Sequence, residues 1–204
     1  MSIDFMVQGP VASSGGAVKD FYNLLTETTT SNNSTSTVTL WHQSSWDDYD
    51  DLLLIMKTQQ VSDTNTRNHR IWMNNTSSNY AITRNGIYNT GSTVYRDYDT
   101  SDRYLKLNQT CPGYANTSSW MYGQIRIAMH QGADSNNIKP CMLLRMTARN
   151  SDNVNNQHEY SAVQWDSMSG GVSRIDIRPQ YDNTGWMNFK SGSKFTLYGL
   201  AMQG

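Results

Sequence analysis

An all-β fold, an antiparallel sandwich or barrel, is what this sequence predicts, and three observations carry the prediction. Of the 204 residues, 74 are Ser, Thr, Asn or Gln, while only 16% are charged. Neutral polar side chains suit turns and strand exteriors, whereas helix exteriors favour Glu, Lys and Arg. Segment after segment also alternates apolar with polar residues at a period of two, the mark of a strand with one covered face. Short turn signals separate these segments (Asn85-Gly86, Pro112-Gly113, Ser169-Gly170-Gly171, Ser191-Gly192). No segment offers the crossover helices that a parallel α/β sheet requires.

In chain order, residues 1–37 read as an N-terminal arm and polar tether, and residues 38–204 as one folded body. Gly9-Pro10 and Ser13-Ser14-Gly15-Gly16 break any regular structure near the start. Ala17–Leu25 sets Phe21, Leu24 and Leu25 at helical spacing, a short amphipathic turn or two. Thr26–Thr37 holds one charge and no apolar residue, the composition of a linker. Phe5, Met6, Val7, Phe21, Leu24 and Leu25 are thus apolar side chains carried outside the body, and they are expected to form an interaction arm.

Ten strands are expected in the body. They are Val38–Gln43, Leu52–Thr58, His69–Asn74, Tyr80–Arg84, Arg103–Asn108, Trp120–His130, Pro140–Arg149, Glu159–Trp165, Val172–Arg178 and Lys194–Ala201. Leu52–Thr58 is a continuous apolar run, suited to a central strand. The expected core is Leu53, Ile55, Ile71, Leu105, Ile125, Ile127, Leu143, Ile175, Ile177, Phe195 and Leu197.

Charge and chemistry exclude more than they assign. A formal net charge of −1 argues against nucleic acid and against a polybasic membrane surface. No apolar run approaches a membrane span, and the N-terminus reads as carrying no secretory signal. Cys111 and Cys141 are therefore expected as free thiols. His42, His69, His130 and His158 occur singly, without ligand spacing, and are expected on sheet faces. No zinc pair, phosphate loop or nucleophile elbow is present, so neither enzyme activity nor a cofactor is expected. Asp47-Asp48-Tyr49-Asp50-Asp51 offers hard oxygens to calcium, but the favoured reading is a solvated loop whose charges guard the sticky strand after it. Trp46 and Trp186 fall in loops and are the two aromatics expected to face a ligand; the other tryptophans fall in strands, where packing or subunit contact accounts for them.

Asn188–Leu200 (NFKSGSKFTLYGL) resembles the closing strand of a group of tailed-bacteriophage virion proteins, whose pattern is roughly F-x-x-G-S-x-F-x-L-Y-G. Phe189, Gly192, Ser193, Phe195, Leu197, Tyr198 and Gly199 match it. Val172–Pro179 is similar to the penultimate strand of that group. Tyr49–Lys57 followed by His69–Tyr80 is similar to its Y-x-D-L-x-I strand and R-x-x-x-N-x-x-x-x-x-Y hairpin. The matches bracket residues 49–200, leaving the first 37 residues outside. The resemblance implies an antiparallel jelly-roll domain, a homo-oligomer and usually a trimer, assembled in the host bacterial cytoplasm into a virion. Its partner would be the major capsid protein or another virion subunit. A capsid decoration (cement) protein is the expected role, with a tail-fibre or receptor-binding tip as the alternative. The resemblance brings no catalytic residue with it.

Overall fold

The computed structural model describes residues 23–42, 46, 49, 51–61, 67–75, 80–88, 93–102, 104–111, 120–128, 141–149, 156–165, 172–181 and 185–200. Thirteen strands occupy them: β1 (Asn23–Thr29), β2 (Val38–Trp41), β3 (Asp51–Thr58), β4 (Arg67–Met73), β5 (Tyr80–Tyr88), β6 (Thr93–Asp102), β7 (Leu105–Cys111), β8 (Met121–Ala128), β9 (Cys141–Arg149), β10 (Asn156–Trp165), β11 (Arg174–Tyr181), β12 (Gly185–Trp186) and β13 (Lys194–Leu200). β5, β6, β9 and β10 are described as backbone. Among the described residues there is no helix, and so none long and apolar enough to cross a membrane.

Two antiparallel sheets result, an arrangement compatible with a β-sandwich. The large sheet runs β1-β13-β3-β8-β9-β10-β5-β6; the small one runs β12-β11-β4-β7, with β2 also paired to β11. Four of the pairings join strands far apart in sequence in a nested order: β1 with β13, β2 with β11, β3 with β8 and β4 with β7. Of the strands left over, β5 with β6 and β9 with β10 are antiparallel hairpins that extend the large sheet beyond β8, and the short β12 pairs with β11 in the small sheet.

Registered pairs place Leu52, Leu54 and Met56 of β3 beside Ile127, Ile125 and Gly123 of β8 and beside Gly199, Leu197 and Phe195 of β13. In the small sheet, Ile175 and Ile177 meet Met73 and Ile71 on one side and Leu40 and Val38 on the other. These side chains, with Leu105, Leu107 and Met121, form one buried cluster shared by both sheets. The expected core residues Ile71, Leu105, Ile125, Ile127, Ile175, Ile177, Phe195 and Leu197 all belong to it. At ~1.5–3 kcal/mol per buried large side chain, this shared core is the main source of stability. Three loop residues add to it: Trp46, Val172 and Phe189, the last packed edge-on against Phe195 with ring centroids 5.0 Å apart.

Four sequence expectations need correction. Leu53 and Ile55 lie on the face of β3 away from the shared core: Leu53 is covered there, and Ile55 is exposed. Every position of Leu52–Met56 is apolar, so alternation has no phase to read, and the opposite set faces inward. Leu143, the remaining expected core residue, pairs through its backbone with Arg126, and its side chain lies outside those described. Second, the stretch expected as an arm and tether supplies β1, which covers the edge of β13. Threonine is β-branched and fits a pleated edge, and an unpaired β13 edge would be left bare without it.

Third, the segment after β1 is laced to the turn before β13 rather than free. Thr30 Oγ1 donates to the Lys190 carbonyl at 2.7 Å, the Gly192 amide to the Thr30 carbonyl at 2.8 Å, and the Phe189 amide to the Thr35 carbonyl at 2.8 Å. Fourth, Asn85-Gly86 is no turn. Both residues lie inside β5, paired to β6 on one side and to β10 on the other, so ladders on both edges override the local turn preference.

The residues of two sequence motifs, Asn188–Leu200 and Tyr49–Lys57, explain one another. Gly192 has φ +87°, a conformation that glycine adopts at little cost, and it turns the chain into β13 beside Trp120. A β-carbon on Gly199 would overlap the Tyr49 ring. The glycine ending one motif and the tyrosine opening the other therefore form a single packing unit.

Candidate functional site

Each sheet turns its second face outward, and the two faces differ in chemistry. On the small sheet, alternation puts Thr39 and Trp41 of β2 outward, opposite to Val38 and Leu40. Trp41 pairs in register with Arg174, and Asp176 pairs with Thr39 on one side and Trp72 on the other. Asp176 is buried, and its oxygens are engaged. Oδ2 accepts from Arg174 Nε at 2.7 Å, and Oδ1 accepts from Arg174 Nη2 at 3.0 Å and from Thr39 Oγ1 at 2.6 Å. The hydrogen bonds it donates to Asp176 hold the Arg174 guanidinium charged, its pKa above the usual value.

Asn74 clamps the start of β11. At φ 49° it sits in the left-handed region that asparagine tolerates. Its Oδ1 accepts from the amides of Ser173 (2.9 Å) and Arg174 (3.1 Å), and its own amide donates to the Arg174 carbonyl at 2.8 Å. Further along the face, Tyr104 meets Trp72 edge-on at 5.4 Å. The Arg70 guanidinium stacks 3.7 Å from the Tyr104 ring, and that of Arg178 lies 5.2 Å from Trp72. Aromatic and guanidinium groups thus interleave along one sheet face, a pattern worth ~0.5–1 kcal/mol per exposed pair and more where water is excluded.

The large sheet's outward face mixes apolar and polar side chains among the described residues. Registers align Leu24 with Tyr198, Tyr198 with Leu53, Leu53 with Arg126, Ile55 with Thr196 and Gln124, and Lys57 with Tyr122. Three of the four exposed large hydrophobics among the described residues lie here: Leu24 at 59%, Tyr122 at 58% and Ile55 at 42% exposure. Ion pairs stand on this face as well, Arg126 with Asp51 and Lys194 with Glu27. The hydrogen bond from Lys194 holds the Glu27 carboxyl below its ordinary pKa.

Of the expected site residues, Trp46 is buried in the shared core and faces no ligand. Its amide donates to the Val172 carbonyl at 2.9 Å, drawing the ring inward. Trp186 lies in the two-residue β12, and its side chain is outside those described. Phe5, Met6, Val7 and Phe21 also lie outside the described residues. Leu24 is exposed on β1, while Leu25 packs against the core at the register shift in that strand. Asp47, Asp48 and Asp50 lie outside the described residues, and Asp51 is committed to Arg126. Among the described residues, no group of three His, Cys, Asp or Glu gathers to hold a metal.

His69 sits on the core face of β4, hydrogen-bonded at 2.8 Å to Thr58 and stacked on Phe189. Burial pushes its pKa down to about 3, which holds it neutral and removes it from acid–base work near pH 7. Trp41 and Trp72, left to packing or subunit contact by the sequence reading, are the aromatics this face presents. The signal for them was present: Trp41 alternates against Val38 and Leu40, and Trp72 stands between Ile71 and Met73. Comparison with protein-family models, with curated proteins and with solved structures gives no match for the chain.

Proposed function

We propose that the chain is a non-enzymatic structural module of a tailed-phage virion, a jelly roll that self-associates as a trimer and decorates the capsid shell. The nested pairs β1 with β13, β2 with β11, β3 with β8 and β4 with β7 support the jelly-roll topology. That order is what eight strands adopt when one long antiparallel ribbon wraps into two sheets, with the two hairpins as insertions. The single observation that carries the functional reading is the exposure of Leu24, Ile55 and Tyr122 on the outward face of the large sheet, with Leu53 and Tyr198 on the same face. Large apolar side chains exposed together on one sheet face, interspersed with polar groups, are the make-up of a subunit contact.

On this reading, residues 1–22, with Phe5, Met6, Val7 and Phe21, form the arm that meets the capsid protein or a neighbouring copy; Leu24 and Leu25 belong to the sheet. Two measurements test the proposal. Sedimentation at micromolar concentration is expected to give a trimer that Ile55→Lys and Tyr122→Lys return to a 23.1 kDa species; a wild-type monomer overturns self-association. Density for the chain on the capsid shell of intact particles supports decoration, and density at the tail supports the second reading, a fibre or receptor-binding tip. Trp41 and Arg174 on the open face of the small sheet favour that second reading.

A further inference from the structure

The small sheet's outward face holds an arginine whose position is fixed and whose donors are only partly used. Asp176 engages Arg174 side-on, through Nε and Nη2. Of the five N–H groups that a guanidinium carries, this leaves both on Nη1 and one on Nη2, the end-on edge. The Arg174 side chain is 40% exposed, whereas that of Asp176 is almost wholly covered. The carboxylate is therefore covered, with three of its roughly four lone-pair sites used, while the guanidinium is open to solvent. Asn74 fixes the backbone beneath it from the other side.

Trp41 is the cross-strand partner of Arg174 and is 61% exposed. Registered partners in an antiparallel pair stand ~5 Å apart at Cα with side chains on one face, so an indole and a guanidinium edge are offered side by side. Sheet edges ordinarily carry small or charged residues outward, and a tryptophan there contributes nothing to the core.

We propose that Trp41 and Arg174 bind an acidic saccharide, with the C–H face of a sugar ring on the indole and its carboxylate on the end-on edge of the guanidinium. Donor and acceptor supply selects the ligand. A neutral sugar presents hydroxyls that need acceptors as well as donors, and both Asp176 oxygens are already engaged. A carboxylate needs donors alone, and a planar guanidinium edge receives it with two parallel hydrogen bonds. A nucleic-acid strand would ask for a basic track along its phosphates, which a chain of net charge −1 does not advertise. The inference deepens the receptor-binding reading and rests on it for its biological setting; the large sheet's outward face plays no part in it.

The test uses the full chain, followed by calorimetry and tryptophan fluorescence, with a uronic-acid tetrasaccharide and a sialylated trisaccharide as probes. Each is set beside its neutral counterpart, and a thymidine oligonucleotide is included. Saturable binding to at least one acidic probe is expected, about tenfold or more tighter than to its neutral counterpart. Trp41→Ala is expected to weaken it by about tenfold or more at nearly unchanged thermal midpoint. Arg174→Lys also loses its two-pronged hold on Asp176 and so lowers the midpoint. In the folded chain it is expected to weaken binding by about tenfold or more, since a lysine cannot reproduce the fork. No saturation by either acidic probe at millimolar concentration overturns the proposal. So does equal affinity for a neutral counterpart or the oligonucleotide, or undiminished affinity in Trp41→Ala. Particle imaging that places the chain on the capsid shell would remove the receptor-binding setting and leave the binding result standing.

Discussion

The large sheet faces outward with Leu24, Leu53, Ile55, Tyr122 and Tyr198, while the small sheet faces outward with Thr39, Trp41, Arg70, Trp72, Arg174, Asp176 and Arg178. On the first face Ile55 stands between Thr196 and Gln124 and Leu53 between Tyr198 and Arg126, with the ion pairs Arg126–Asp51 and Lys194–Glu27 on the same face. On the second, polar groups occupy the middle and hold one another: Thr39 and Arg174 on Asp176, Arg70 on Tyr104. An apolar face gains free energy by being covered, whereas a networked face keeps its geometry in water. The same alternation of β-strands thus makes one surface suited to association and another suited to recognition.

The largest expected effects test whether both faces rest on one core. Leu197→Ala beneath the large sheet and Ile175→Ala beneath the small one should each cost ~2–5 kcal/mol in urea unfolding, because both side chains are fully buried. A large cost under one sheet and a small one under the other would mean that the two faces do not share a foundation.

Acid should strain the small sheet's side of that core. The folded chain holds His69 neutral, with its pKa pushed down to about 3, while an unfolded chain protonates it near pH 6.5. Below that pH the unfolded state binds the extra proton, so stability falls as pH falls. The expected slope is ~1.4 kcal/mol per pH unit until the folded pKa is reached, with none from this group above pH 7. Urea midpoints from pH 7 to pH 4 should therefore decline more steeply for wild type than for His69→Gln. Parallel curves would sink the assignment.

Smaller effects separate the faces themselves. Asp176→Asn removes the carboxylate that holds Arg174 and Thr39; it should cost ~1–3 kcal/mol, discounted because Arg174 is partly solvated. Ile55→Lys, exposed on the large sheet, should shift monomer stability by less than ~0.5 kcal/mol and show its effect in sedimentation instead. Stability losses that come out the other way round would reverse the contrast between a covered face and a networked one.

How much of this was legible follows residue by residue. Ile71 and Met73 alternate around Trp72, and Val38 and Leu40 alternate against Trp41, so both the strand and its inward face can be read from the chain alone. The turn at Gly192 was readable for the same local reason, since glycine readily takes positive φ. Leu52–Met56 shows the limit. A run with no polar member has no phase, and only pairing with Gly123, Ile125 and Ile127 turned Leu52, Leu54 and Met56 inward and left Ile55 in water. Trp46 shows another: a loop position suggests exposure, but its amide donates a hydrogen bond to the Val172 carbonyl and its ring lies in the core.

The sequence by itself determined the class of fold, most strand positions and the inward set of the alternating strands whose side chains are described, because those depend on chemistry within a few residues. Contacts between residues distant in the chain decided the rest. They set Asn23–Thr29 as an edge strand rather than a tether, Asn85-Gly86 as ladder rather than turn, and Tyr49 against Gly199. They also set Arg174 between Asp176 and Asn74 beside an open indole. Such pairings cannot be read locally, since the free energy that fixes them belongs to the partner strand.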